Sequence, residues 1–225
     1  MSEPPARPNG QEARRIRTRE RLVDTASRLF SQTHPAGVTV DDIIQAAGLA
    51  KGTFYNHFPD KDALSLEVRR RAMARTDESV TALNAGVEDA AERIARGVCY
   101  YARLVFLDPV LAGLLASNLP LELSSDSIAL TGVSADVALG ISSGQLRTAT
   151  RESGALFVVG GAAILMQRLL TEPSPALATL LTQQIVAMTL KGLGVESEKA
   201  ERISARCCEE ILDGPLASAS QDPAG

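Results

Sequence analysis

The chain has 225 residues, a formal net charge of −4, and 45% hydrophobic against 22% charged residues. That length suits one large or two small domains with a sizeable core, and the balance excludes collagen-like repeats and wholesale disorder. With no Trp, 4% aromatic residues and abundant Ala and Leu, helices are favoured over strands, so the expected class is all-α.

No continuous apolar run reaches membrane-spanning length, and the start MSEPPARPNGQEARR lacks an apolar stretch after its charges. A cytoplasmic protein without a membrane partner is expected. Cys99, Cys207 and Cys208 are odd in number and include an adjacent pair, which argues against a disulfide framework. His34 and His57 stand far from that pair, and no C-x-x-C or H-x-x-x-H spacing occurs, so no metal site and no cofactor are expected. The thiols read as small packing groups; a redox role would require an exposed cysteine of low pKa. Charge is unevenly spread. Residues 1–75 hold 13 Lys and Arg against 9 Asp and Glu (+4), and residues 76–225 hold 10 against 18 (−8). A basic N-terminal part on an acidic body orients approach to a polyanion.

Taken in order, residues 1–12 combine Pro, Gly and Asn with little apolar content and are expected to be a disordered arm. A helix from Arg14 to Gln32 follows, with Arg14, Arg15, Arg17, Arg19 and Arg21 crowding its start. Two nearby acids, Glu20 and Asp24, cannot pair five arginines, so phosphate contact is expected, above all at Arg15 and Arg17. Leu22, Val23, Ala26, Leu29 and Phe30 form its inner face, and His34 reads as a loop residue.

The stretch Val38 to Phe58 reads as helix, tight turn, helix. Val40, Ile43, Ile44 and Ala47 recur at helical spacing, Thr39 is placed to N-cap them with Asp42, and Gly48 suits a left-handed helix end. In the second helix Phe54 and Phe58 point inward, leaving Lys51, Thr53, Tyr55, Asn56 and His57 on other faces. Gly52 lets backbone N–H groups near a helix N-terminus approach a phosphate. This is the pattern of a helix-turn-helix presenting a polar, acid-free surface to the major groove.

Pro59 stops that helix and Asp60 caps the next, which runs from Lys61 to the early eighties and links the two parts of the chain. Arg69, Arg70 and Arg71 face different ways on a helix and read as a solvated face. Further helices are expected at about 88–107, 109–118 (ended by Asn118-Leu-Pro120), 125–143, 153–171, 175–193 and 197–212, with Ser142 to Thr150 a turn and the tail from Gly214 disordered. Two of these helices, Ala155 to Leu170 and Ala176 to Leu190, are apolar nearly all round. Either they are buried centrally in a monomer or they pair with a second copy in a four-helix bundle.

The run TVDDIIQAAGLAKGTFYNHFPDKDAL, Thr39 to Leu64, with the amphipathic helix before it, strongly resembles the DNA-binding domain of TetR-family transcriptional repressors over roughly the first third of the chain. The resemblance implies a three-helix DNA-binding domain at 13–60 and a larger helical effector-binding and dimerisation domain at 61–213, flanked by the arm 1–12 and the tail 214–225. It implies that Lys51, Gly52, Thr53 and Tyr55 meet the major groove, while Thr39, Asn56, His57 and Lys61 hold the backbone. It also implies a homodimer through the last long helices, for which Phe157, Gly160, Gly161, Ile164, Arg168, Leu177, Leu181, Gln184, Ile185 and Met188 are candidates. A small-molecule pocket in the body is implied as well, with Tyr100, Tyr101, Arg103, Leu104, Leu115, Met166 and Gln167 as candidate liners.

The function so implied is a ligand-responsive regulator, a repressor by analogy, that binds a palindromic double-stranded operator as a dimer and is released by a small molecule. The alternatives are a helical interaction module or a helical enzyme that keeps the helix-turn-helix without using it. No phosphate loop, nucleophile elbow or convincing acid pair supports catalysis, and Asp41-Asp42 is more simply a helix-start pair favoured by the dipole.

Overall fold

The computed structural model describes residues 10–32, 35–116 and 128–212, and the regular elements among them are all helical. They divide into two compact units, 1–72 and 73–225, the division falling inside one long helix. The expected loop residue His34, the Asn118 to Pro120 break and the tail from Gly214 lie outside the described residues, as do residues 1–9 of the expected arm.

The first unit contains α1 (Gly10–Gln32), a single 3-10 turn (Pro35–Gly37), α2 (Val40–Ala47), α3 (Lys51–Tyr55) and the start of α4 (Lys61–Leu83). Helix α1 begins before Arg14, so residues 10–12, expected in the arm, are helical; Gln11, Glu12 and Ala13 are good helix formers, and Glu12 sits in the first turn where the dipole favours an acid. Leu22, Val23, Ala26 and Phe30 of α1 are buried, as are Ile43, Ala47, Phe54, Phe58, Leu64 and Val68. Leu29 is only half-buried. Truncating the fully enclosed Phe54 to Ala would cost about 3–5 kcal/mol by cavity formation.

The second unit holds the rest of α4 with α5 (Ala90–Leu107), α6 (Pro109–Ala116), α7 (Ile128–Ser142), α8 (Arg151–Thr171), α9 (Pro175–Gly192) and α10 (Ser197–Ile211). Local chemistry sets the ends. Asp89 caps α5 by accepting the N–H groups of Ala91 and Glu92, Thr150 and Ser153 close a reciprocal capping box on α8, and Ser174 caps α9 ahead of Pro175. At Asp108-Pro109 the chain leaves α5 and Asp108 Oδ1 accepts the Leu111 N–H at 2.9 Å, starting α6. Helix α5 is central, packing against α6 to α10.

Helix α8 is long and apolar enough by composition to cross a membrane, which the residue-by-residue reading did not anticipate. Here one side of it joins the core through Val158, Ala162, Leu165, Met166 and Leu169. All three cysteines are buried thiols outside any disulfide, with Cys99 Sγ 3.7 Å from Cys208 Sγ. The hydrogen bond with Cys208 and burial push the Cys99 thiol well up, and burial takes Cys207 to about 12. These are packing groups, and the condition set for redox sensing, an exposed low-pKa thiol, is not met.

Candidate functional site

The helix-turn-helix is built by short-range chemistry. Thr39 is extended (φ −95°, ψ 164°), and its hydroxyl accepts the Asp42 N–H at 3.1 Å while Asp42 Oδ2 accepts the Thr39 N–H at 2.8 Å. The Thr39 hydroxyl also donates to Asp42 Oδ2, and these bonds hold the Asp42 carboxyl below its ordinary range. Thr39, expected at a phosphate, thus has both its N–H and its hydroxyl engaged in the cap. Gly48 ends α2 at φ 60°, ψ 42°, with the Gly48 N–H on Gln45 O and the Leu49 N–H on Ile44 O. A Cβ at this φ is strained by about 1–2 kcal/mol.

Only Leu49 and Ala50 separate this end from α3. Ala50 provides no side-chain cap, so the N-terminus of α3 carries no internal acceptor from that residue. The helix is short, ending at Tyr55, and Asn56 and His57 lie in the turn after it. Phe54 meets Phe58 at 6.2 Å between ring centroids and anchors the inner side. Outward, Lys51, Gly52, Tyr55 and Asn56 are exposed, while Thr53 and His57 are half-buried. Around Gly52, a Cβ would meet no atom within 4 Å. Exposed Arg15 and Arg17 lie on α1, and no ion pair holds them among the described residues. Burial, then the charges of Arg15 and Arg19, holds the His57 imidazole below its ordinary value, which places His57 in the field of the α1 arginines.

Two expected contacts are diverted. Lys61 donates from Nζ to Val38 O at 3.0 Å, tying the start of α4 to the lead-in of α2, and so acts as a structural strut. Lys51 Nζ lies 2.9 Å from Asp41 Oδ1 in an exposed pair that any phosphate contact must outcompete. Arg19 also leaves the basic set: its guanidinium stacks 4.6 Å over the Phe58 ring and reaches Glu67 at 3.4 Å. Arg70 pairs with Glu67 and Arg71 with Asp24.

The second unit encloses a cavity of about 100 Å³. Its wall includes Tyr101, Leu115 and Met166 from the expected set, joined by Ile94, Gly97 and Val98 at helical spacing along α5. Four expected liners are elsewhere. Tyr100 is turned off that face and packs edge-on to Tyr101, at 6.1 Å and 83°. Arg103 donates from Nη1 to Ile211 O, Leu104 belongs to the core, and Gln167 donates from Nε2 to Ala116 O at 3.2 Å. Sequence reasoning missed the polar wall: Asp77 and Asn84 from α4 and the turn after it, Arg93 from α5, and Asp136 from α7. One signal was available, since Asp136 is the lone acid in the apolar run of α7.

The outer faces of α8 and α9 carry Phe157 at 52% exposure, Ile164 at 66% and Met188 at 67%. Arg168 and Gln184 are exposed beside them, and Gly160 stands in open space. Leu177 is half-buried, while Leu181 and Ile185 pack partly against this chain's own core. Gly161 faces Thr189 and Ile185 of α9 within the same chain and is not on the open face.

Residues 22–68 match the family model of bacterial regulatory proteins, tetR family. An uncharacterized HTH-type transcriptional regulator of Mycobacterium tuberculosis is 31% identical over 101 residues, 45% of this chain and 50% of that protein. The chain thus spans about half the length of that relative. Among solved structures, RolR in complex with resorcinol has a TM-score of 0.74 at 22% identity, covering 86% of this chain and 96% of its own. A TetR-family regulator of Pectobacterium atrosepticum has a TM-score of 0.65 at 25% identity, covering 83% and 97%.

Proposed function

We propose that the chain is a member of the TetR family of bacterial regulatory proteins, to whose model residues 22–68 match, and that it is a cytoplasmic, ligand-responsive repressor that binds a palindromic DNA operator as a homodimer and leaves it when a small molecule enters the second unit. The observation that carries this reading is the capped α2, the Gly48 turn and an α3 that itself holds no acid and presents Lys51, Gly52 and Tyr55 outward, with exposed Asn56 following it. Lys51, Gly52, Thr53 and Tyr55 are assigned to the major groove, with Arg15, Arg17, Asn56 and His57 assigned to phosphates. One α3 of five residues reads few base pairs, so a second copy is needed for affinity. The exposed apolar face of α8 and α9 supplies its partner surface, centred on Phe157, Ile164 and Met188.

The second unit is the effector domain in this reading, because its cavity combines an apolar wall with a few polar groups. RolR, the neighbour solved with resorcinol, supports a small aromatic effector by analogy of fold. Ligand acts by preferring a state in which the two recognition helices no longer match successive grooves, and shifts the equilibrium only by that preference.

Selection of bound sequences from random duplex DNA, followed by titration of the winner at several salt concentrations, tests the whole reading. A palindromic winner is expected, with log Kd rising steeply against log salt, at about 0.9 per phosphate neutralised. Tyr55→Ala is expected to abolish that binding while dimerisation persists. Enrichment of no sequence at any salt would overturn the assignment and leave the helix-turn-helix without a DNA role.

A further inference from the structure

Among the described residues, the polar groups of the cavity in the second unit form an end that accepts hydrogen bonds and offers no free cation. Arg93 is the guanidinium found in its wall among the described residues, and it is committed: Nε donates to Asp136 Oδ1 at 2.5 Å, and Nη1 to the carbonyls of Asn84 and Val87 at 3.3 Å each. Asn84 is 2% exposed, and its Nδ2 donates to Arg93 O at 3.2 Å, which fixes the amide. Its Oδ1 is then left buried with no partner. A buried acceptor in that state costs about 1–3 kcal/mol unless something donates to it.

Beside it, the Asp77 carboxylate accepts no hydrogen bond from a described residue, and burial, then Asp136 and Glu78, push it up. The backbone opposite is Gly132, where a Cβ would stand 2.8 Å from Asp77 Oδ1, so glycine is what lets the carboxylate occupy this place. Burial, reinforced by the charge of Asp77, holds the Tyr101 phenol far above its ordinary value and therefore neutral. Opposite these groups the wall is aliphatic, formed by Ile94, Val98, Leu115, Val158, Ala162 and Met166.

Size narrows the occupant. At about 100 Å³ the space is below the few hundred Å³ of a typical drug-sized site and close to cavities that hold one aromatic ring. Charge narrows it further. An anion would meet Asp77 and Asp136 with the guanidinium found among the described lining residues already paired, and a neutral hydroxyl can donate to the same acceptors without the desolvation that an ammonium must undergo. We propose that this cavity takes an uncharged single-ring molecule bearing hydroxyl groups, which donate to Asn84 Oδ1 and the Asp77 carboxylate, and that it discriminates against anions of the same size. The inference rests on the reading of the second unit as the effector domain.

Isothermal titration of the purified full-length protein tests it with four probes: resorcinol, 1,3-dimethoxybenzene (the same ring without donors), benzoate and benzylamine. Resorcinol is expected to bind at least about tenfold more tightly than each of the others, the size of one lost charge-assisted hydrogen bond. In Asp77→Asn, which removes the repulsion and half the acceptor capacity, the preference for resorcinol over benzoate is expected to fall by at least about tenfold. Equal binding of the dimethoxy compound, tighter binding of benzoate or benzylamine, or binding of none of the four would overturn the proposal. An unchanged preference in Asp77→Asn would overturn the role of Asp77. Operator binding is read separately: if resorcinol binds as expected and the operator complex is unaffected, the ligand class stands and the regulatory reading of the unit falls.

Discussion

Replacing Gly52 by Ala separates stability from DNA binding, because the two effects have opposite signs. Gly52 is exposed in the first turn of α3, and an added Cβ meets no atom within 4 Å. In the free protein the change therefore adds only helix propensity, about 0.5 kcal/mol near a helix end, which for a chain of this size raises the melting temperature by about 1–2 °C. On DNA the same methyl stands where backbone N–H groups are assigned to a phosphate. Losing one charge-assisted hydrogen bond costs about 1.5–3 kcal/mol, and the two half-sites of a dimer double this to about 3–6 kcal/mol, a factor of roughly 10² to 10⁴ in Kd. Fluorescence anisotropy with the selected operator at fixed salt, alongside thermal melts, measures both. A variant that melts slightly higher and still binds with undiminished affinity would refute close phosphate approach at Gly52, and with it the docking geometry assigned to α3.

Three further outcomes follow from particular residues. Burial and the neighbouring Arg15 and Arg19 hold free His57 below 6.5, so a phosphate beside it raises its pKa on binding; operator affinity should climb as pH falls through that window, by at most about tenfold per pH unit per half-site, and His57→Gln should flatten the profile. Burial raises Asp77 above 3.8 in the folded state, so the native protein binds that proton more tightly than the unfolded chain and loses stability as pH rises through the window. Asp77→Asn should accordingly melt above the parent near neutral pH, with the gap closing below 3.8, where the parent carboxyl is protonated in both states. Ile164→Glu combined with Met188→Glu places two charges on the open face of α8 and α9; light scattering should report a monomer whose own stability moves by less than about 1 kcal/mol, and a persistent dimer of unchanged affinity would remove that face from the interface.

What the sequence by itself determined is local. The capping box at Thr39, the left-handed Gly48, the inward Phe54 and Phe58 four residues apart, and the Pro-marked helix starts depend on neighbours within one or two turns, so residue types at fixed spacing sufficed to place them. The division of charge between the two parts of the chain was legible for the same reason, since it needs no geometry. The tertiary structure decided where long side chains end up. Arg19 turned to the Phe58 ring and Lys61 to the Val38 carbonyl, and each of these choices depends on a partner far along the chain. The same holds for the cavity. Tyr100 and Tyr101 are adjacent in sequence, and only the rotation of α5 against its neighbours puts Tyr101 on the wall and leaves Tyr100 off it. Asp77, Asn84, Arg93 and Asp136 read singly as ordinary polar residues; they become one acceptor-rich end because α4, α5 and α7 converge there, and burial then makes an unpaired atom such as Asn84 Oδ1 costly.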